Sequence, residues 1–190
     1  MNTLIEVLGY PITYIEFFGV LAYFISVYFA VKVNVLTWPT GIVSSILFFI
    51  LYLNTHTYAN GILQIILVVV SINGWKKWGK EDNKKVSYLN WKNRFYVFMI
   101  ILVSVILFGT IVKIYSSDPY PYLDVAIFVL SIIGVILLAN KKMESWYVWM
   151  LVNVCTIILY SSLGYYLIGI QSSLFIIMDI IALKNWKKLL

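Results

Sequence analysis

Seven long apolar runs alternate with polar breaks along the chain, near 13–33, 37–54, 57–77, 93–114, 122–140, 145–162 and 164–185. Each is long enough to cross a bilayer as a helix, which takes roughly 17–25 residues. The breaks are short, except for the charged segment KWGKEDNKKVSYLNWKN between the third and fourth runs. The first dozen residues, MNTLIEVLGYPI, precede the first span and read as a short helix or cap. Pro11 suits its end, because proline disfavours helix in the residue before it.

The basic residues orient the spans, because loops that stay on the cytoplasmic side retain Lys and Arg. With the loop after the third span inside, Lys76, Lys77, Lys80, Lys84, Lys85, Lys92 and Arg94 are cytoplasmic. Alternation then places Lys32, Lys141, Lys142, Lys184, Lys187 and Lys188 on the same side, and leaves Lys113 alone outside. A miscounted span would scramble that partition. The expected topology has the N-terminus outside and the C-terminus in the cytoplasm.

Composition agrees. Of the 190 residues 62% are hydrophobic and 12% charged, against about half and about a quarter in soluble domains. Four prolines and ten glycines leave little room for linkers, so residues 1–190 are expected to form one compact domain. No cleavable signal peptide is expected, since the first lysine is Lys32. The lone Cys155 allows no intramolecular disulfide. The net charge of +6 comes from loop lysines flanking the spans, which argues for the bilayer and against nucleic acid as the partner.

An internal repeat emerges from the aromatic residues. WPTGIVSSILFFILY and WYVWMLVNVCTIILY each place a tryptophan fourteen residues before a tyrosine: Trp38 and Tyr52, then Trp146 and Tyr160. Aromatic belts at headgroup depth supply one reading of these four residues. That reading leaves the shared spacing and surroundings unexplained. Tyr58 and Tyr166 each follow six residues after the belt tyrosine, and Gln64 and Gln171 come later still. The halves close in GWKKW and NWKKL; matched this way, they slip by one residue at the glutamines and by three at the closing tryptophans. Two three-helix units of like orientation require an odd helix between them. The expected fold is all-α, with seven transmembrane helices as 3+1+3 parallel repeats: repeat one about 13–78, a linker helix about 93–114, repeat two about 122–188. This is the plan of SWEET sugar transporters, whose substrate site lies near the midplane between the halves.

Helical periodicity collects the candidate site. Trp146, Trp149, Asn153 and Tyr160 share one stripe of span six, at about 100° per residue. The matching stripe of span two is Trp38, Gly41, Ser45 and Tyr52, with Phe48 at its margin. Span three adds Asn60, Gln64 and Ser71, then Asn73; span seven adds Gln171, Ser172, Phe175 and Asp179. Amides in hydrocarbon are costly without partners, so these are either interhelical hydrogen bonds or substrate contacts. The serines suit the first role; Asn153, Gln64 and Gln171, at depth beside large rings, suit the second. Amides would contact hydroxyls or a carboxamide, rings would stack, and a tryptophan face would accept a cationic ring.

Asp124 reads as a cap near the outer end of span five or as a partner to local hydroxyls. Asp179, a turn from Lys184, reads as its ion-pair partner near the inner surface, with ion coupling as the functional alternative. Glu144 reads as a first-turn acid favoured by the helix dipole or as a partner for Lys141; His56 is assigned no role. There is no glycine-rich phosphate loop, no metal-ligand cluster and no nucleophile beside a base. Neither an enzyme nor a cofactor is expected.

WPTGIVSSILFFILY...YANGILQIILVVVSINGWKKW and DVAIFVLSIIGVILLANKKMESWYVWMLVNVCTIILY together resemble the PnuC family of bacterial vitamin transporters, over nearly the whole chain after the N-terminal stretch. The specific parts are Leu63-Gln64, Gly74-Trp75, Lys142 and Glu144 leading into Trp146, and Trp149-x-x-x-Asn153. The resemblance implies a SWEET-like fold, a homotrimer and facilitated diffusion of nicotinamide riboside, trapped inside by a cytoplasmic kinase. Carried onto this chain, it has Trp149 and Asn153 stack on and hydrogen-bond the substrate, with Gln64 and Asn60 contributing from the other half. Asn73, Gln171-Ser172 and Ala182 depart from the family pattern and bear on which substrate is taken, since relatives carry thiamine, riboflavin or deoxynucleosides. Thiamine is the alternative closest to nicotinamide riboside. A non-transporting membrane scaffold is the alternative of another class.

Overall fold

The computed structural model describes residues 3–7, 10–79 and 85–190. Lys80 and Lys84 of the charged loop lie outside them, as do residues 1–2 and 8–9 of the N-terminal segment. That segment is not a helix. Strands β1 (Thr3–Val7) and β2 (Tyr10–Thr13) pair antiparallel, with Glu6 opposite Pro11 and Val7 opposite Tyr10. A short apolar run carries no helical period of its own, so hairpin and helix compete, and here the pairing wins.

Among the described residues seven helices follow: α1 (Tyr14–Val31), α2 (Thr37–Asn54), α3 (Tyr58–Trp78), α4 (Trp91–Tyr115), α5 (Pro121–Ala139), α6 (Glu144–Ser162) and α7 (Tyr166–Lys187). All seven are long and apolar enough to cross a membrane. They fall into two compact units, Met1–Asn83 and Lys84–Leu190. Within the first, α2 packs against both α1 and α3; within the second, α6 packs against α5 and α7, and α4 packs on α5. Leu130, Leu137, Val148 and Val152 form a buried apolar cluster in the second unit, flanked by Ile101 of α4.

Helix starts follow local chemistry. The Thr13 hydroxyl accepts from the Glu16 amide at 3.2 Å, Asn90 Oδ1 accepts from the Asn93 amide at 2.7 Å, and Pro121 stands in the first turn of α5.

The two units are the same three-helix design at a constant offset of 108 residues, Trp38 matching Trp146. The turns show it first. Val33 (φ 53°) ends α1 and Lys141 (φ 52°) ends α5; His56 (φ 57°) ends α2 and Gly164 (φ 82°) ends α6. At each, the following amide donates back five residues: Asn34 to Phe29 at 2.9 Å, Lys142 to Leu137 at 3.0 Å, Thr57 to Tyr52 at 3.0 Å, Tyr165 to Tyr160 at 2.8 Å. Such left-handed closures satisfy the last helical carbonyls and favour glycine, which only the fourth has.

The buried residues repeat in the same register. Gly61, Gln64, Ser71, Gly74 and Trp78 line the buried face of α3, and Gly169, Ser172, Asp179, Ala182 and Trp186 that of α7. Trp38 meets Trp78 edge to face (centroids 5.2 Å, interplanar 89°), as Trp146 meets Trp186 (5.4 Å, 85°). Three sequence expectations are thereby corrected. The repeat runs without gaps; the counterpart of Gln64 is Ser172, not Gln171; and the closing tryptophan of the first half is Trp78, not Trp75. Trp38 and Trp146 are also not belt residues: each is only 2% exposed, Trp38 filling the space beside Gly74 and Trp146 packing on Trp186.

Candidate functional site

A repeat allows each buried position of one unit to be compared with its counterpart in the other. One departure lies on α6 and α7. Ser45 and Ser71 are both buried in the first unit; the second has Asn153 and Asp179 in their places. Asn153 Nδ2 donates to Asp179 Oδ2 at 2.9 Å, joining α6 to α7. Asp179 is 3% exposed and Asn153 9%. The expected Asp179–Lys184 pairing is overturned: the carboxylate faces α6, and no cation pairs with it among the described residues.

A second exchange supplies the ring. In the first unit Ser26 packs against Gly41 and trades hydrogen bonds with Thr37, its Oγ donating to the Thr37 carbonyl at 2.7 Å. Their counterparts are Gly134, Trp149 and Ser145. A Cβ built on Gly134 would lie 3.1 Å from Cε2 of Trp149, so the missing side chain on α5 is what seats the indole. The cost falls on Ser145, whose fully buried hydroxyl has no partner among the described residues. Trp149 is half-buried and lies one turn before Asn153 on the same face. Ring, amide and carboxylate therefore belong to one unit.

The other sequence-predicted residues are distributed as follows. Gln64 is buried on the inner face of α3 with no hydrogen-bond partner among the described residues, and Asn60, one turn N-terminal to it, is half-buried. Phe48 covers Gly19 of α1 and stacks on Tyr52 (6.1 Å, 22°), while Tyr160 meets Tyr165 edge to face. Ser45 is buried in α2, and Trp38 belongs to the packing against α3. Gln171 is half-buried, off the row through Ser172 and Phe175. His56 Nδ1 lies 3.0 Å from the Tyr58 hydroxyl. Among the described residues no group of three or more His, Cys, Asp or Glu side chains could hold a metal ion.

Glu144 has a role that helical periodicity does not reveal. Its carboxylate accepts from the Leu89 amide with both oxygens (3.1 and 3.0 Å) and forms an ion pair with Arg94 at 2.8 Å. Lys142 Nζ donates to Ser87 Oγ at 2.7 Å, and the backbones of Ser87 and Lys141–Met143 pair as a short parallel bridge. The motif Lys142-x-Glu144 thus clips the segment before α4 onto the α5–α6 turn. Glu144 stands in the first turn of α6 as expected, and its contacts with Leu89 and Arg94 add a role beyond the helix dipole.

Residues 13–188 match the family model described as nicotinamide mononucleotide transporter. The chain belongs to that family. The nicotinamide mononucleotide transporter family is one of transporters, not of enzymes. This member is 22% identical to the nicotinamide riboside transporter PnuC of Escherichia coli, over 93% of this chain and 85% of that protein. It is 24% identical to the riboflavin/roseoflavin transporter RibM of Streptomyces davaonensis, over 79% of this chain and 73% of the other. The crystal structure of the vitamin B3 transporter PnuC shares its fold, with a TM-score of 0.75 at 19% identity, covering 93% of this chain and 81% of that one. Family and fold thus agree with seven membrane-spanning helices in a multi-pass membrane protein.

Proposed function

We propose that this protein is a facilitated-diffusion carrier for a small aromatic vitamin or nucleoside, with nicotinamide riboside as its first substrate. Family membership over residues 13–188 carries the reading, and the nicotinamide riboside and riboflavin transporters among its relatives support the substrate class. Trp149, one turn before Asn153 on α6, supports the same choice. A flat ring stacks on an indole, and a carboxamide or ribose hydroxyl pairs with the amide. Thiamine, with its own cationic ring, is the nearest competitor; riboflavin follows from the second relative.

Transport is downhill in this proposal, and phosphorylation by a cytoplasmic kinase would keep the gradient open. The carrier would work as a homotrimer in the bacterial inner membrane, N-terminus outside. The clip joining Ser87 to Lys142 supports that orientation, since it holds two lysine-bearing loops at the same end of the second unit.

The test is binding to the purified protein, read by tryptophan quenching and calorimetry against nicotinamide riboside, thiamine, riboflavin and deoxynucleosides. The expected result is saturable binding, tightest for nicotinamide riboside. No heat and no quenching with any of them would overturn the proposal.

A further inference from the structure

We infer that Asp179, oriented by Asn153, is the counter-ion for a fixed positive charge on the transported ring, so the carrier discriminates by substrate charge as well as shape. This rests on the carrier reading above and names what its site selects.

The repeat shows why. Ser45 and Ser71 occupy the corresponding positions of the first unit and are buried there, so two hydroxyls suffice to pack those sites. Nothing about the fold requires a carboxylate. Burying one in hydrocarbon is costly, and such groups face cavities or partners rather than lipid. Asp179 sits about 12 Å from the C-terminal end of α7 and Asn153 about 14 Å from the N-terminal end of α6, so both lie deep within their spans.

The carboxylate is also incompletely satisfied. A carboxylate offers about four acceptor positions. Among the described residues one donor is present, Asn153 Nδ2 on Oδ2, and Oδ1 has none. No ammonium or guanidinium of the described residues pairs with it. Asn153 therefore acts as a hinge post: it holds one oxygen and leaves the other for a ligand. The indole of Trp149, one turn away on the same face, adds a surface that also favours a cation. Carboxylate and indole together select a positively charged aromatic ring over a neutral one of the same outline.

The test compares two forms of one ligand. Nicotinamide riboside carries a pyridinium cation; its 1,4-dihydro form keeps the ribose and carboxamide but is neutral. Binding of both to detergent-purified protein is measured for wild type, Asp179→Ser and Asp179→Asn. Wild type is expected to prefer the cation, and both variants to lose affinity for it by about thirtyfold or more, as when one member of a buried charge pair is removed. Affinity for the neutral form should fall far less than affinity for the cation, and an unchanged elution profile and melting transition in detergent show that the variants are folded. Equal wild-type affinity for the two forms, or a preference that survives in both variants, would overturn this inference and leave the carrier reading standing. Absence of binding by either form, together with the rest of the vitamin panel, would overturn both.

Discussion

Replacing Asn153 and Asp179 by the serines that stand at their counterparts separates their contribution to stability from any role with substrate. Asn153→Ser leaves Asp179, 3% exposed, without its one donor among the described residues. Asp179→Ser leaves the Asn153 amide without its acceptor. The double variant reproduces the pair that the first unit already buries at Ser45 and Ser71. Interhelical hydrogen bonds in membranes average about 0.6 kcal/mol in double-mutant cycles, with a maximum near 1.7 kcal/mol. A bond accepted by a carboxylate is roughly twice as strong as a neutral one. At 2.9 Å and this burial, the coupling should fall at about 1–2 kcal/mol. The assay is reversible unfolding in mixed detergent for wild type, both singles and the double, without ligand. The double should be less destabilised than the two singles summed. Additivity within about 0.5 kcal/mol would refute the reasoning and reduce the contact to an accident of packing.

Other consequences follow from the same repeat. Gly74→Ala would bring a methyl 2.5 Å from the Trp38 ring and should cost about 1–3 kcal/mol, whereas Ala182→Gly, which relieves no clash, should cost about 1 kcal/mol; thermal unfolding in detergent compares them. Gly134→Ala would crowd the Trp149 indole at 3.1 Å, and should weaken binding of the aromatic substrate several-fold while shifting the Trp149 fluorescence, a shift that an unmoved ring would not show. Glu144→Gln should loosen the clip, so that amide exchange at Leu89 rises by an order of magnitude or more if about 1.5–3 kcal/mol of charge-assisted bonding is lost; unchanged exchange would mean that the backbone bridge suffices.

Much of the architecture is legible in the amino-acid sequence itself. Hydrophobic runs of bilayer length and a one-sided lysine distribution depend on properties local to each segment, so the seven spans match within a few residues. Trp38–Tyr52 and Trp146–Tyr160 reveal the repeat because the same residue types recur at the same spacing. The register beyond them is ambiguous for a physical reason. Trp75 and Trp78 both end α3, and only packing shows that the buried one is Trp78. Gln64 and Gln171 invite a match by type, although the fold gives the role of Gln64 to Ser172 in the second unit. An ungapped comparison at a spacing of 108 finds both.

The site is legible in part. Trp149 and Asn153 share a helical face by periodicity alone. That Asn153 meets Asp179 depends on how α6 docks on α7, which neither helix encodes by itself; Lys184, on Asp179's own helix, is the nearer candidate in sequence. The exchange of Ser26 and Gly41 for Gly134 and Trp149 is equally hidden, since it becomes visible only when two helices are compared across both copies. Glu144 looks like an ordinary first-turn acid because its partners, Leu89 and Arg94, lie 55 and 50 residues upstream.

Carriage itself is read by uptake into proteoliposomes. Purified protein is reconstituted, and labelled nicotinamide riboside is followed with no ion gradient and no kinase. Facilitated diffusion predicts entry well above that of protein-free vesicles, levelling off when the inside concentration equals the outside, and suppressed by excess unlabelled substrate. Entry no faster than in empty vesicles, for nicotinamide riboside and for every other vitamin and nucleoside tried, would contradict it.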